Sequence, residues 1–211
     1  MHFDLNKTIG IGLVALLALL ASSLHQKDSR KAEMTVATAM YQEEVLPQKV
    51  LVDPIDRAGQ RVTKKSFGTY VTPKNSPVAP ERFTGFHTGT DFETFAEEAD
   101  VDVSVYAICD GSIVDKKTAA GYGGYLIQSC SINHQPITVV YGHLNLNSVA
   151  KNKGNPLTAG ERIGVLGQPP QETGGERKHL HLGIHKGMKI DTRGYVQKES
   201  ELTAWMDWEK L

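Results

Sequence analysis

The sequence has little that would point to nucleic acid, to a repeat protein or to a helical bundle. Lysine and arginine number 23 against 24 acidic residues, so the net charge of -1 gives no basic field of the kind that binds nucleic acid. No internal repeat or low-complexity tract is present, and few segments carry helical periodicity. Apolar residues make up 40% of the chain and charged residues 22%, which is typical of a globular domain with its own core.

An uncharged apolar stretch runs from residue 8 to residue 24. Its length lies at the lower edge for a membrane-spanning helix and slightly above a signal-peptide core, so we expect export. The segment is then either cleaved after Ser23 or retained as an anchor. More basic residues follow the stretch than precede it, and by the positive-inside rule this would instead favour a cytoplasmic domain. A buried core helix is the remaining interpretation. We predict residues 1–24 as signal peptide or membrane anchor and residues 25–48 as a linker.

The chain from residue 49 onward is predicted to be mainly β. Short apolar runs alternate with turn signals, a spacing typical of an antiparallel sheet or sandwich rather than βαβ units. The predicted strands are Ser104–Cys109, Ser112–Lys117, Tyr125–Cys130, Ile137–Tyr141, Arg162–Leu166 and His179–His185. Residues 49–197 are predicted as one domain. Residues 198–211 are predicted as a closing helix, because Leu202, Trp205 and Trp208 fall on one helical face.

Cys109 and Cys130 lie in apolar, strand-like stretches on either side of a turn-rich loop. A hairpin centred between them would place the two side chains opposite each other on one face of a sheet. A disulfide between them is then possible in an oxidising compartment. Two buried free thiols are the alternative, and the spacing does not indicate a metal site.

Four histidines and one aspartate form three short clusters with the chemistry of a zinc site. The His-Leu-His sequence at 179–181 would point both imidazoles to one side of a strand. His87 and Asp91, four residues apart, supply a nitrogen and an anionic oxygen that suit zinc. His143 ends an apolar strand, where a hydrogen-bonded core histidine is the ordinary interpretation. Three protein ligands and an open fourth position would describe a catalytic zinc site.

The order of these elements resembles one known family. Between residues 62 and 195 the chain contains FG, HTGTDF, VYAICDGSIV, GYGGYLIQS, VVYGHL, LTAGERIGVLG and HLHLGI, in that order. The succession is similar to the LytM/lysostaphin-type zinc metallopeptidases, peptidoglycan endopeptidases with the duplicated-hybrid-motif β fold. The resemblance implies that His87, Asp91 and His181 hold one zinc ion. It also implies that His143 and His179 are catalytic histidines that do not bind the metal.

The function implied by this resemblance is that of an exported endopeptidase, periplasmic or at the cell surface, that hydrolyses stem or cross-bridge peptides of peptidoglycan. We expect a monomer with no nucleic-acid partner, in contact with the membrane through residues 8–24 if these are not cleaved. A catalytically silent wall-binding or amidase-activating module of the same fold is the alternative. A D-Ala-D-Ala-type zinc carboxypeptidase would need a longer His-to-Asp spacing and a Glu-x-x-Trp element, and neither is found.

Two segments depart from the family's pattern. Residues 174–178 stand where members usually have Gly-Pro or a similar pair before His-x-His, so substrate preference is expected to differ. The family's Gly-Thr-Pro turn after Asp91 is replaced by a stretch that contains the acidic residues Glu93, Glu97, Glu98, Asp100 and Asp102. A solvated acidic rim is expected, and attraction of amine-bearing wall peptides is the alternative. His185 is expected at the rim of the groove rather than on the metal.

Overall fold

The structure is a computed structural model that describes residues 51–211. These residues belong to one compact unit, Lys49–Leu211. The predicted signal or anchor segment, 1–24, and the predicted linker, 25–48, lie outside the described residues. Within residues 51–211, no helix is both long enough and apolar enough to cross a membrane.

The described residues form short strands joined by turns and brief 3₁₀ helices. The strands are β1 (Tyr70–Val71), β2 (Gly85–His87), β3 (Gly89–Glu93), β4 (Ser104–Tyr106), β5 (Gly111–Ala119), β6 (Gly123–Ile132), β7 (Gln135–Asn145), β8 (Pro156–Leu157), β9 (Arg162–Leu166), β10 (His179–Lys186), β11 (Tyr195–Val196) and β12 (Trp205–Met206). The 3₁₀ helices are Ala58–Gln60, Ala96–Glu98, Leu146–Ser148, Glu199–Ala204 and Trp208–Lys210.

Within residues 51–211 the strands form two antiparallel sheets. The small sheet has the order β1-β2-β11. The large sheet has nine strands, with the order β12-β10-β7-β6-β5-β8 along its main path. Strand β3 pairs with β10, and β9 pairs with both β4 and β7. The predicted mainly β, antiparallel fold is therefore confirmed.

The main core lies on one face of the large sheet, and a smaller buried cluster of Tyr122, Tyr125, Ile127 and Val140 is separate from it. Leu180 and Leu182 of β10 pack in the main core with Val139 and Tyr141 of β7. The buried Tyr141 hydroxyl accepts a hydrogen bond from the main-chain N–H of Ile108 at 2.9 Å, so it is satisfied inside the core. Alternation along β10 leaves the side chains at positions 179 and 181 on the opposite face, as the sequence predicts.

The β5–β6 hairpin carries the two cysteines, which are joined as a disulfide. Their predicted direct pairing is wrong: Gly111, not Cys109, lies opposite Cys130. A bulge between Ile113 and Asp115 shifts the register, and the hairpin turn lies further along the chain than predicted. The disulfide therefore links Cys130 to a residue that precedes β5.

The C-terminal segment, predicted as a helix over 198–211, is helical only in two 3₁₀ turns separated by β12. Trp205 in β12 pairs with His185 of β10, so its backbone joins the edge of the large sheet. This pairing interrupts the helix that the apolar periodicity favours. Trp208, in the last 3₁₀ turn, packs edge-on against Phe92 with the ring centroids 6.2 Å apart.

Candidate metal centre

Three strands bring the predicted ligand residues together. In the β3–β10 ladder Asp91 lies directly opposite His181. His87 ends β2 in the small sheet, where it is paired with Tyr195 of β11. The chain then passes through Thr88 into β3 of the large sheet. The His-x-x-x-Asp element therefore spans the junction of the two sheets, and its two functional side chains approach His181 from different sides.

The three predicted ligands present one atom each to a common point. His87 Nε2 lies 3.0 Å from His181 Nδ1. Asp91 Oδ1 lies 3.2 Å from His87 Nε2 and 3.1 Å from His181 Nδ1. Ligand atoms that bind zinc at about 2.0–2.1 Å in a tetrahedron lie about 3.3 Å from one another. The triangle therefore has the dimensions of one face of a tetrahedral zinc site.

The hydrogen bonds around the triangle leave its three atoms with few protons of their own to donate. His87 Nδ1 donates to the main-chain carbonyl of Ser66 at 3.1 Å, so its Nε2 keeps a lone pair. The Asp91 carboxylate is buried and adds acceptors only. His181 Nε2 is buried with no hydrogen-bond partner among residues 51–211. Two lone pairs and a carboxylate oxygen converge with at most one proton between them, an arrangement that a cation would satisfy.

The pKa directions agree with a set of metal ligands. Burial lowers the pKa of His181 to about 4, so the imidazole is neutral at physiological pH. Burial would by itself raise the pKa of Asp91, but His87 and His179 outweigh it and hold that pKa well below its usual range. A neutral imidazole at His181 and an ionised carboxylate at Asp91 are the forms in which these groups bind zinc.

His143 and His179 lie beside the triangle, with ring centroids 4.2 Å apart. His143 Nδ1 donates to the carbonyl of Thr173 at 3.0 Å. His179 Nδ1 donates to the carbonyl of Arg177 at 2.9 Å, and its Nε2 lies 3.3 Å from Asp91 Oδ2. Burial, reinforced by His179 and His181, lowers the pKa of His143 well below its usual value. His143 is thus held neutral, whereas the His179 ring faces an acceptor at each nitrogen.

The position of His143 depends on an unusual backbone conformation. It has a φ of 62°, in the left-handed region that few residues other than glycine adopt. At this point β7 stops pairing with β10, whose last partner is Gly142, and begins to pair with β9 at Leu144. The β6–β7 register also shifts here. The bulge turns the imidazole into the site, as bulges near active sites commonly do.

These side chains line an open cleft of about 330 Å³. Its other walls include Phe83, Tyr122, Arg193 and Tyr195, together with the buried Lys65. Lys65 Nζ donates to the Tyr195 hydroxyl at 2.8 Å. Aromatic rings and a few charged groups are the usual lining of a site for a polar ligand. Nothing in the local sequence pattern marks these residues as part of a site.

The acidic segment after Asp91 differs from the predicted solvated rim. Glu97, Asp100 and Asp102 are exposed, as expected. Glu93, by contrast, is buried against Arg177, and Glu98 accepts from the buried Arg61 guanidinium at 2.7 Å. Two of the five carboxylates therefore form ion pairs inside the fold instead of facing solvent.

His185 shares the strand face of His181 but is separated from the triangle. Trp205 packs over Gly183, between the two histidines, and its ring meets that of His185 edge-on at 5.0 Å. His185 does not line the cleft. Its expected place outside the ligand set is therefore consistent with the structure, although Trp205 covers it more fully than a rim position implies.

Comparison with known proteins identifies the family. The profile of peptidase family M23 matches residues 85–192, just over half of the chain. The chain belongs to peptidase family M23, and the LytM/lysostaphin-type resemblance is confirmed. No curated protein gives a significant match.

Solved structures with a similar fold are distant in sequence. LytU is 22% identical with a TM-score of 0.45, over 70% of this chain and 81% of LytU. CbpA from L. salivarius REN is 20% identical with a TM-score of 0.48, over 75% of this chain and 91% of CbpA. A zinc-containing peptidase from Vibrio cholerae is 24% identical with a TM-score of 0.43, over 69% of this chain but only 41% of its own.

Proposed function

We propose that the protein is a zinc-dependent endopeptidase that hydrolyses peptide bonds in the stem or cross-bridge peptides of peptidoglycan. The observation that carries the proposal is the triangle of His87 Nε2, Asp91 Oδ1 and His181 Nδ1, with edges of 3.0–3.2 Å, beside two further histidines in an open cleft. Membership of peptidase family M23 supports a hydrolase of this kind.

The triangle residues would hold zinc through the three atoms named above. When bound, zinc supplies a Lewis acid for the scissile carbonyl and lowers the pKa of a bound water. The protein supplies the neutral nitrogens, the single negative charge of Asp91 and burial that excludes bulk water from the ligands.

His143 is suited to accept a proton. Its Nδ1–H is engaged by the Thr173 carbonyl, so the lone pair lies on Nε2. That lone pair can receive the proton of the attacking water. The Thr173 contact also fixes the ring orientation, which preserves the tautomer through each turnover.

His179 is suited to hold and donate a proton. Its two nitrogens face the Arg177 carbonyl and Asp91 Oδ2, both of which are acceptors. A proton on Nε2 can be offered to the developing oxyanion or to the departing amine. In this proposal His143 is the general base and His179 the general acid, because their hydrogen-bond partners differ.

The test uses the full chain, purified, with its zinc content measured, and incubated with purified peptidoglycan beside an Asp91→Ala variant. We expect about one zinc per chain in the wild type, new peptide fragments in its digest, and neither with the variant. The masses of the fragments identify the bond. His185→Gln is a matched control, because this buried histidine lies outside the cleft.

Zinc binding without any fragment would overturn the peptidase proposal and favour the silent wall-binding or amidase-activating module. Absence of zinc from the wild-type protein would overturn both the cofactor and the mechanism. The proposed place of action, outside the cytoplasmic membrane, is tested separately by fractionating cells that express the full chain.

A further inference from the structure

Arg177 contacts the oxygen of Asp91 that the ligand triangle does not use. Its Nη2 donates to Asp91 Oδ2 at 2.9 Å, whereas Oδ1 of the same carboxylate faces His87 and His181. The guanidinium thus occupies the side of the carboxylate opposite the triangle. A carboxylate whose second oxygen is hydrogen-bonded in this way is held in one orientation.

Arg177 is itself held by Glu93. Its Nε lies 3.0 Å and 2.8 Å from the two carboxylate oxygens of Glu93, and its Nη2 also donates to Glu93 Oε1. Glu93 is two residues beyond Asp91 in β3, on the same strand face, and directly opposite His179 in the ladder. The β-ladder therefore fixes the spacing between the carboxylate that anchors the guanidinium and the carboxylate that the guanidinium orients.

Two other polar groups of Arg177 differ in their contacts. Its Nη1 is buried and has no partner among residues 51–211, so the Nε–Nη2 edge alone determines where the side chain lies. Its main-chain carbonyl accepts the Nδ1 proton of His179 at 2.9 Å. One residue thus contacts both a triangle residue and a histidine of the proposed catalytic pair.

We propose that Arg177 is a positioning residue for the metal centre, with Glu93 acting through it. The inference rests on the proposed zinc site and deepens it. Arg177 keeps Asp91 Oδ2 occupied, together with His179 Nε2 at 3.3 Å from this oxygen, so that Asp91 presents only Oδ1 to the metal. Glu93 balances the guanidinium charge, which would otherwise repel a cation a few ångströms away. A lysine cannot replace this residue, because an ammonium lacks the rigid fork that reaches two carboxylates at once.

The test measures zinc affinity of the purified full chain by competition with a chelator. Arg177→Met and Arg177→Lys are each expected to weaken zinc binding by about tenfold to a hundredfold, the usual effect of losing such an outer contact. Arg82→Met is the matched control, since Arg82 pairs with Glu176 at 2.6 Å but does not contact Asp91. This control should keep wild-type zinc affinity.

Glu93 is tested by a double-variant cycle. Glu93→Gln should weaken zinc binding less than Arg177→Met, and Arg177→Met/Glu93→Gln should be no weaker than Arg177→Met alone. The absorption spectrum of the cobalt-substituted protein supplies a second signature, since a reoriented Asp91 changes the coordination of the metal. The spectrum should change in Arg177→Met and not in Arg82→Met.

Wild-type zinc affinity in Arg177→Met, or a loss confined to its melting temperature, would overturn the inference and leave the proposed function intact. Additive losses in the double variant would overturn the role of Glu93. Zinc binding by the wild type without hydrolysis would instead overturn the proposed peptidase activity, while the effect of Arg177 on metal affinity would still be measured. A wild-type protein that binds no zinc would overturn both.

Discussion

The rings of His143 and His179 lie 4.2 Å apart, yet their hydrogen-bond partners differ. His143 has one acceptor, the carbonyl of Thr173, and His179 has two, the carbonyl of Arg177 and the carboxylate of Asp91. Neighbouring imidazoles with identical surroundings would compete for the same proton. Here each nitrogen of His179 faces an acceptor, whereas His143 has an acceptor only at Nδ1, so the two rings are not equivalent.

The first prediction concerns this pair. Each of His143→Gln and His179→Gln should lower kcat by about a hundredfold to ten-thousandfold, the range for a general acid or base, and both should retain zinc. Hydrolysis of a purified peptidoglycan fragment and metal analysis provide the measurements. A variant that lost zinc as completely as Asp91→Ala would show instead that the histidine belongs to the ligand set.

The second prediction concerns pH. Histidines titrate near pH 6.5 in an unfolded chain, but burial lowers the pKa of His181 to about 4 and lowers that of His143 as well. Between about pH 6.5 and pH 4 the unfolded chain therefore binds protons that the folded protein does not. Stability of the metal-free protein should fall as pH falls, by about 1.4 kcal/mol per pH unit for each histidine held neutral.

Asp91 affects stability at lower pH, because its pKa is depressed in the folded protein. Its contribution to the free energy of unfolding is present above about pH 4 and is lost as the pH falls further. Urea unfolding of chelator-treated protein, repeated at several pH values, measures these slopes. The variant His143→Gln/His181→Gln should show a shallower slope between pH 6.5 and 4. An identical slope in the variant would assign the pH dependence to other groups.

The third prediction concerns Gly89, which packs against His181. A β-carbon at this position would lie 2.6 Å from the carbonyl oxygen of Leu182 and 2.8 Å from His181 Nε2. Gly89→Ala should cost about 1–3 kcal/mol of stability and weaken zinc binding, because either the strand or the imidazole must move. Gly59→Ala is the control, since no atom lies within 4 Å of the added carbon. Equal zinc affinities would contradict the expected coupling.

The fourth prediction concerns the disulfide. The variant Cys109→Ala/Cys130→Ala removes a cross-link between residues 21 apart and should lower stability by about 3 kcal/mol. Zinc affinity should not change. Cys130 pairs with Ile137, five positions along β7 from Gly142 at the site, which is about 17 Å at roughly 3.4 Å per residue. The variant is preferable to a thiol reductant, which would itself bind zinc. A change in zinc affinity would show that the hairpin and the site are coupled.

Most strand positions could be predicted from apolar runs that end at turns, but β4 ends at Tyr106, three residues before the predicted Cys109. Strand β9 has the predicted limits, and β10 exceeds its predicted limits by one residue. Strands β6 and β7 extend beyond theirs at both ends, and most of the added residues are glycine or polar rather than apolar. Hairpin register was not predictable, since the bulge after Ile113 leaves no mark in the hydrophobic pattern.

The geometry of the site was predictable only in part. Alternation along β10 gives a shared face to His179 and His181, but Arg177 precedes the strand and no alternation marks it. The contact between Arg177 and Glu93 depends on the β3–β10 register, which no local pattern encodes. The pairing of Trp205 with β10 likewise overrode a helical periodicity that was present in the sequence.

The left-handed backbone of His143 lowers the thermal stability of the protein, whereas its imidazole is needed for the proposed catalysis. The two requirements therefore conflict at this one position. A residue other than glycine or asparagine in this conformation costs about 1–3 kcal/mol, and the surrounding ladder has to offset that cost. Glycine or asparagine there would relieve it, and either would remove the imidazole. Selection of a random library for thermal survival alone should therefore enrich His143→Gly and His143→Asn, and those survivors should be the ones that no longer cut.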